Sequence, residues 1–258
     1  MSSKGQPQPA PIAIASDLTV SDLLAALSAG WRDFLAQPKY GLFFASIFAV
    51  AGLVLSYLMI AKGETTWLIP VVSGFPLIAP FTAVGLYEVS RRREAGLHLG
   101  WGAILGAVGG RGDGQILSMG VIMFVAFGFW MIVAHAVFAI FLAEAGLGSN
   151  PLALFTIPAG VAMLVVGSIV GGIMALVFYM TTVVSLPMLV DRDVDFITAI
   201  IASLRAFRRN RLVLLVWAAV IAGLLFLAML PVFAGLLVAL PVLGHATWHL
   251  YRRTIGGD

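Results

Sequence analysis

The sequence predicts an all-α fold, a polytopic membrane bundle of about six transmembrane helices with cytoplasmic interfacial amphipathic helices, and three observations predict it. The chain of 258 residues is 61% hydrophobic and only 10% charged, where a soluble domain carries roughly 25% charge. Its apolar runs recur at lengths near the ~20 residues that a helix needs to cross a hydrocarbon core of about 30 Å. Its basic residues stand in short clusters at the ends of those runs, as topology signals do. Composition also narrows the function. With no cysteine, the chain has no disulfide, no thiolate metal site and no cysteine nucleophile. A net charge of +3, distributed beside apolar spans, argues against a nucleic-acid face and leaves the lipid bilayer as the expected partner.

Residues 1–15 carry several prolines and few apolar side chains and read as a disordered cytoplasmic tail. Residues 16–37 follow as an amphipathic helix, with Leu23, Leu24, Leu27, Trp31, Phe34 and Leu35 at spacings of three and four. Ser21 is its candidate N-cap, Asp22 suits its first turn, and Pro38 stops it. The expected place of this helix is the cytoplasmic interface, with Trp31 and Phe34 at headgroup depth. Span one is 41–61 and residues 62–66 are a turn. Span two is 67–89, interrupted by Pro70, Pro76 and Pro80, each of which removes a backbone donor. Arg91, Arg92 and Arg93 close it.

Residues 97–108 form a second interfacial segment, too short and too glycine-rich to span. Span three is 116–143. Residues 152–190 are longer than one crossing needs, but their middle lacks a polar turn, so they read as a single long span four. Residues 191–211 open with acids and close with bases, the order a helix dipole prefers, and form the third amphipathic helix. Spans five and six are 212–230 and 232–249, with Pro231 at the turn between them. The chain then exits through Trp248, Arg252 and Arg253, with 254–258 as a tail.

On this reading every lysine and arginine but Lys62 falls on the side of the N-terminus, so both termini are expected in the cytoplasm of a bacterial inner (cytoplasmic) membrane. Residues 16–253 form one membrane domain. Within it, DLLAALSAGWRDF at 22–34 overlays DFITAIIASLRAF at 195–207, and the Pro80 to Arg92 end of span two overlays Pro241 to Arg253. The pattern suggests three units, 16–89, 97–190 and 191–253, each an interfacial helix followed by a hairpin.

Four stretches, SDLLAALSAGWRDFLAQPKYGLFF, SGFPLIAPFTAVGLYEVSRRRE, VVSLPMLVDRDVDFITAIIAS and GHATWHLYRR, together resemble the proteobacterial membrane-protein family DUF2189, over residues 16 to about 253. Some members of that family carry the label putative cytochrome c oxidase subunit I. That label implies haem–copper chemistry, which in a catalytic subunit needs six imidazole ligands and about twice as many spans. This chain has four histidines, so no cofactor is expected.

The chemistry-bearing residues are few. His245 and His249 are one turn apart and share a helix face, a candidate metal pair. The alternative has His245 hydrogen-bonded within the bundle while His249 and Trp248 serve as interface residues. His135 is the ionisable side chain inside a span. Glu88, within one turn of Arg91 and Arg92, reads as an interfacial ion pair or a proton acceptor. Asp191, Asp193 and Asp195 suit helix capping better than a shared cation. Gly74, Pro76 and Pro80 mark a broken helix of the kind that exposes carbonyls to a solute. No protease, hydrolase or phosphate-loop motif is present, so no catalytic residue is assigned. The expectation is a non-catalytic accessory or assembly component of a membrane complex, with respiratory-complex subunits as partners. The alternative is a transporter or channel for a small uncharged solute, with its site around Gly74, Pro76, Pro80, Glu88 and His135.

Overall fold

The structure, a computed structural model, describes residues 12–63, 79–107, 114–142 and 155–255. The described residues are helical, with no strand among them. The helices are α1 (Val20–Ala36), α2 (Pro38–Ala61), α3 (Ala79–Glu94), α4 (Trp101–Gly106), α5 (Gln115–Leu142), α6 (Pro158–Thr182), α7 (Ser185–Asp191), α8 (Phe196–Arg209), α9 (Arg211–Met229) and α10 (Leu236–Ile255). Among the described residues, four helical stretches are long and apolar enough to cross a membrane: Pro38–Ala61, Gln115–Phe141, Pro158–Asp191 and Arg211–Met229. These are expected spans one, three, four and five. The first half of expected span two, with Gly74 and Pro76, lies outside the described residues. The last helix is not among the four. It begins at Leu236 rather than 232 and runs on past His249 to Ile255, and its second half carries His245, His249, Arg252 and Arg253.

That last helix is nonetheless the hub. One side of α10 takes α1 along its C-terminal half and α2 along its N-terminal half, and α3 packs beside it. The approach is close because small residues face it. A Cβ on Gly30 of α1 would sit 2.6 Å from the Ala246 nitrogen and from the Val242 oxygen of α10, and one on Gly41 would sit 2.8 Å from Pro241 Cβ. Phe233, in the turn that follows Pro231, covers Gly52 of α2. The chain reverses there with positive φ at Val232 and Phe233, 53° and 63°, a backbone conformation uncommon for a β-branched residue.

The face that α1 gives to this hub differs from the one its apolar periodicity suggests. Leu23, Ala26, Gly30, Asp33 and Phe34 are buried, whereas Leu24, Trp31 and Leu35 are 64%, 45% and 57% exposed. Small residues let helices approach closely, and close packing is what joins helices in a bilayer. The small-residue stripe therefore meets α10 and the larger side chains point outward. Phe34 is correspondingly buried and packed beside Gly41. The cap also shifts. Thr19, not Ser21, precedes the helix and forms a capping box with Asp22, whose carboxylate accepts from the Thr19 nitrogen at 2.7 Å.

The segment expected as one amphipathic helix over 191–211 is divided. α7 ends at Asp191, and Asp195 caps α8 by accepting from the Thr198 nitrogen at 2.9 Å. Ala199, Ala202, Ser203 and Ala206 form its buried face. The second interfacial segment shortens to the six residues of α4, whose Trp101 ring lies edge-on to Tyr40 and Phe43 of α2 at 4.6 and 5.0 Å. α5 and α6 pair as a hairpin.

Candidate functional site

The polar groups gather where the C-terminal ends of α1, α3 and α10 converge. α1 brings Asp33 on its buried stripe, α3 brings Ser90 and Arg93, and α10 brings His245 and His249 one turn apart. Ser90 Oγ donates to Asp33 Oδ2 at 2.6 Å and lies 2.7 Å from His245 Nδ1. His249 Nε2 approaches the same Asp33 Oδ2 at 2.9 Å, and Arg93 Nη1 pairs with Oδ1 at 3.0 Å. The Arg93 guanidinium also donates to the Asp33 carbonyl at 3.1 Å, closing the C-terminal end of α1. Burial alone would push the Asp33 carboxyl up, but the hydrogen bonds from His249 and Ser90 and the positive groups beside it hold it below the ordinary value of 3.8.

The proton arrangement follows from donor counting. An ionised Asp33 only accepts, so the single hydroxyl proton of Ser90 goes to it, and His245 Nδ1–H donates to the Ser90 oxygen. His245 Nε2 is left as a lone pair in a fully buried ring with no hydrogen-bond partner among the described residues. The order Asp–Ser–His differs from that of a nucleophilic triad, in which the histidine stands between and takes the serine proton. Ser90 is also 1% exposed, so no substrate reaches it. The chemistry of this junction is cohesion: one carboxylate joins three helices.

Two further networks extend it. Glu88, buried on α3, accepts from Arg91 Nε and Nη2 at 2.7 Å each and from Arg92 Nε at 2.6 Å, so both of its oxygens are occupied. Arg92 reaches on to the His98 carbonyl at 2.8 Å. On the other flank, Trp248 Nε1 donates to Glu94 at 3.0 Å, and Arg252 bridges Glu94 and Asp191 at 3.1 and 3.4 Å. Tyr251 donates to Asp191 at 2.8 Å. Arg253 pairs with Asp17 and Asp22 at 3.0 and 3.2 Å. The segment before α1 is tied down alongside: the Ala15 nitrogen donates to the Thr254 carbonyl at 2.9 Å, and Asn210 donates to the Ala15 carbonyl at 2.8 Å.

The structure thus brings His245, His249, Trp248, Glu88 and the arginines of α3 and α10 to one end of the bundle. His135 is elsewhere, exposed on α5 and stacked on Phe138 with ring centroids 6.5 Å apart. Trp31 is exposed, whereas Trp248 is fully buried. No group of three or more histidine, aspartate or glutamate side chains that could hold a metal occurs among the described residues. His245 and His249 each commit one ring nitrogen to the junction. Of the aspartate series, Asp191 serves Tyr251 and Arg252 while Asp195 caps α8. Sequence reasoning missed Asp33 and Ser90. The signal for Asp33 is its place on the stripe of Leu23, Ala26 and Gly30, where a carboxylate among small residues needs a partner.

An all-helical chain with four apolar helices of spanning length and its charges gathered at helix ends is an integral membrane protein. Residues 68–191 match the family described as predicted integral membrane protein (DUF2189), which confirms the family match read from the sequence. The matched segment holds the second motif, SGFPLIAPFTAVGLYEVSRRRE, whole, while the first and fourth fall outside it. No curated protein and no solved structure matches the chain.

Proposed function

We propose that this protein is a non-catalytic accessory or assembly component of a membrane complex, respiratory complexes being the first to test, in a bacterial inner membrane with both termini cytoplasmic. The observation that carries the reading is the α5–α6 hairpin. Over the 25 residues of α6 only Gly160, Met163 and Thr182 are buried, and Val161, Val165, Ile169, Ile173 and Val177 are exposed. Lipid tails are as apolar as these side chains, so hydrophobicity does not hold helices together in a bilayer; packing does. A hairpin that packs so little against its own chain has long faces for helices of another. The junction supports the same reading, because its carboxylates are all engaged by arginine, histidine, serine or tyrosine and none is left for ion coupling. The bond between Ala15 and Thr254 supports ends on one side of the membrane. On this proposal 67–89 and the last helix complete six crossings, with α1, α4 and α8 at the cytoplasmic interface.

Purification from native membranes in a mild detergent, read by native mass spectrometry, tests the proposal. Stoichiometric heterologous subunits are expected, and Gly172→Trp, built into open space on α6, releases them while the protein stays folded. A monodisperse protein with no partner overturns the reading.

A further inference from the structure

Two groups of arginines contrast among the described residues. Those of α3 and α10 are matched: Arg91 and Arg92 to Glu88, Arg93 to Asp33, Arg252 to Glu94 and Asp191, Arg253 to Asp17 and Asp22. At the elbow where α8 meets α9 stand Arg205, Arg208, Arg209 and Arg211, all exposed, and no carboxylate pairs with any of them among the described residues. Arg209 is held by the Ile14 carbonyl at 2.8 Å. The other three project from the surface unmatched.

Their setting is specific. On α8 the buried face is Ala199, Ala202, Ser203 and Ala206, and the opposite stripe runs Ile197, Ile201, Arg205, Arg208. That exposed stripe is apolar in its first half, with Ile197 and Ile201 at 57% and 42% exposure, and basic in its second. Asn210 breaks the helix, and at Arg211 begins α9, one of the four stretches apolar enough to span. Its exposed Leu212, Leu215 and Val216 continue the apolar surface. Unpaired guanidinium groups therefore stand at the mouth of a span, bracketed by apolar side chains on both helices. Such an arrangement presents fork-shaped donors at headgroup depth and apolar contacts at acyl-chain depth.

We infer that the α8–α9 elbow is a binding site for the phosphate headgroup of an anionic phospholipid, with Arg205, Arg208 and Arg211 as its donors and Ile197, Ile201, Leu212 and Leu215 against the acyl chains. Charge complementarity and the position of the arginines at the start of a spanning helix fix the occupant as lipid. The α1–α2 elbow is a built-in contrast. It carries exposed Arg32 and Lys39, whose amine lies over the Tyr40 ring at 4.8 Å, and so offers fewer free donors.

The test is titration of the delipidated full-length protein, in a neutral detergent, with phosphatidylglycerol or phosphatidylcholine, reading bound lipid by native mass spectrometry. The wild type binds phosphatidylglycerol in preference. At roughly fivefold per basic residue, the triple variant Arg205→Gln, Arg208→Gln, Arg211→Gln weakens that binding by about a hundredfold, while the triple Arg→Lys variant keeps most of it. The double variant Arg32→Gln, Lys39→Gln loses less, and glycerol phosphate without acyl chains does not compete. Equal affinity for the two lipids, an unchanged triple variant, an equal loss in the double variant, or full competition by glycerol phosphate each overturns the inference. Should the triple variant misfold, salt titration of the wild type decides: phosphatidylglycerol binding falls as ionic strength rises, and a flat profile rejects the site.

Discussion

Asp33 Oδ2 takes a hydrogen bond from Ser90 at 2.6 Å and another contact from His249 at 2.9 Å, so a single carboxylate oxygen ties α1 to α3 and α10. Asp33→Asn removes the charge that balances Arg93 and His249. Breaking a fully buried pair costs roughly 3–5 kcal/mol, and the partial exposure of Arg93 and His249 lowers this to about 2 kcal/mol. Ser90→Ala costs about 1 kcal/mol, because it leaves His245 Nδ1–H without its acceptor. Unfolding in mixed micelles with a denaturing detergent measures both, and an Asp33→Asn variant as stable as the wild type contradicts the junction.

The same carboxylate sets an acid limit. Its native pKa lies below its ordinary value of 3.8, so its contribution is full above that value and is lost as pH falls through the lower native one. The stability difference between wild type and Asp33→Asn should therefore be constant from pH 6 down to about 4 and shrink below it. Paired thermal melts across that range check this, and a gap that widens in acid has the wrong sign.

Glycine substitutions separate close packing from open surface. Gly30→Ala places a methyl group against the backbone of Ala246 and Val242, which cannot move aside, so α1 shifts off α10. The cost is about 2 kcal/mol, outweighing the ~1 kcal/mol gained in helix propensity. At Gly244 the obstacle is Leu86 Cδ1, the far end of a side chain, so Gly244→Ala costs less. Gly128→Ala meets nothing and is neutral or slightly stabilising. Thermal shift measurements across the three should rank Gly30, Gly244, Gly128, and any other order denies the α1–α10 approach.

Oxidase chemistry has a direct spectroscopic check. Purified from cells supplied with haem precursors and copper, the protein should show no Soret band and no stoichiometric copper. His245→Ala and His249→Ala should then change stability rather than any spectrum. A Soret band lost on either substitution would assign a haem ligand.

The apolar spans were legible because their signal is local. α2, α5 and α9 each fall within a few residues of the expected limits, whereas expected span four, 152–190, is divided into α6 and α7. The turn after Pro231 was legible for the same reason. The junction was not. Asp33 lies 57 residues from Ser90 and 216 from His249, and nothing in local periodicity connects them. The larger apolar side chains of α1 did not reveal the face that meets α10 either. Leu24, Trp31 and Leu35 dominate any hydrophobic pattern, while contact with α10 depends on the smallness of Ala26 and Gly30. The break at 192–195 was hidden because the Asp191 to Arg211 run keeps a helical charge order across it.

The helix at the centre of this bundle also leaves the ribosome after the helices it packs against. α1 emerges early with Gly30 and Asp33 facing no partner, and more than two hundred residues follow before His249 is made. Membrane insertion and final assembly are thus separate events for this chain: the four apolar stretches can enter the bilayer in turn, but the polar end locks only after α10 arrives. α10 thus completes the junction, and a chain truncated before it leaves Asp33 without His249 and Gly30 without Ala246.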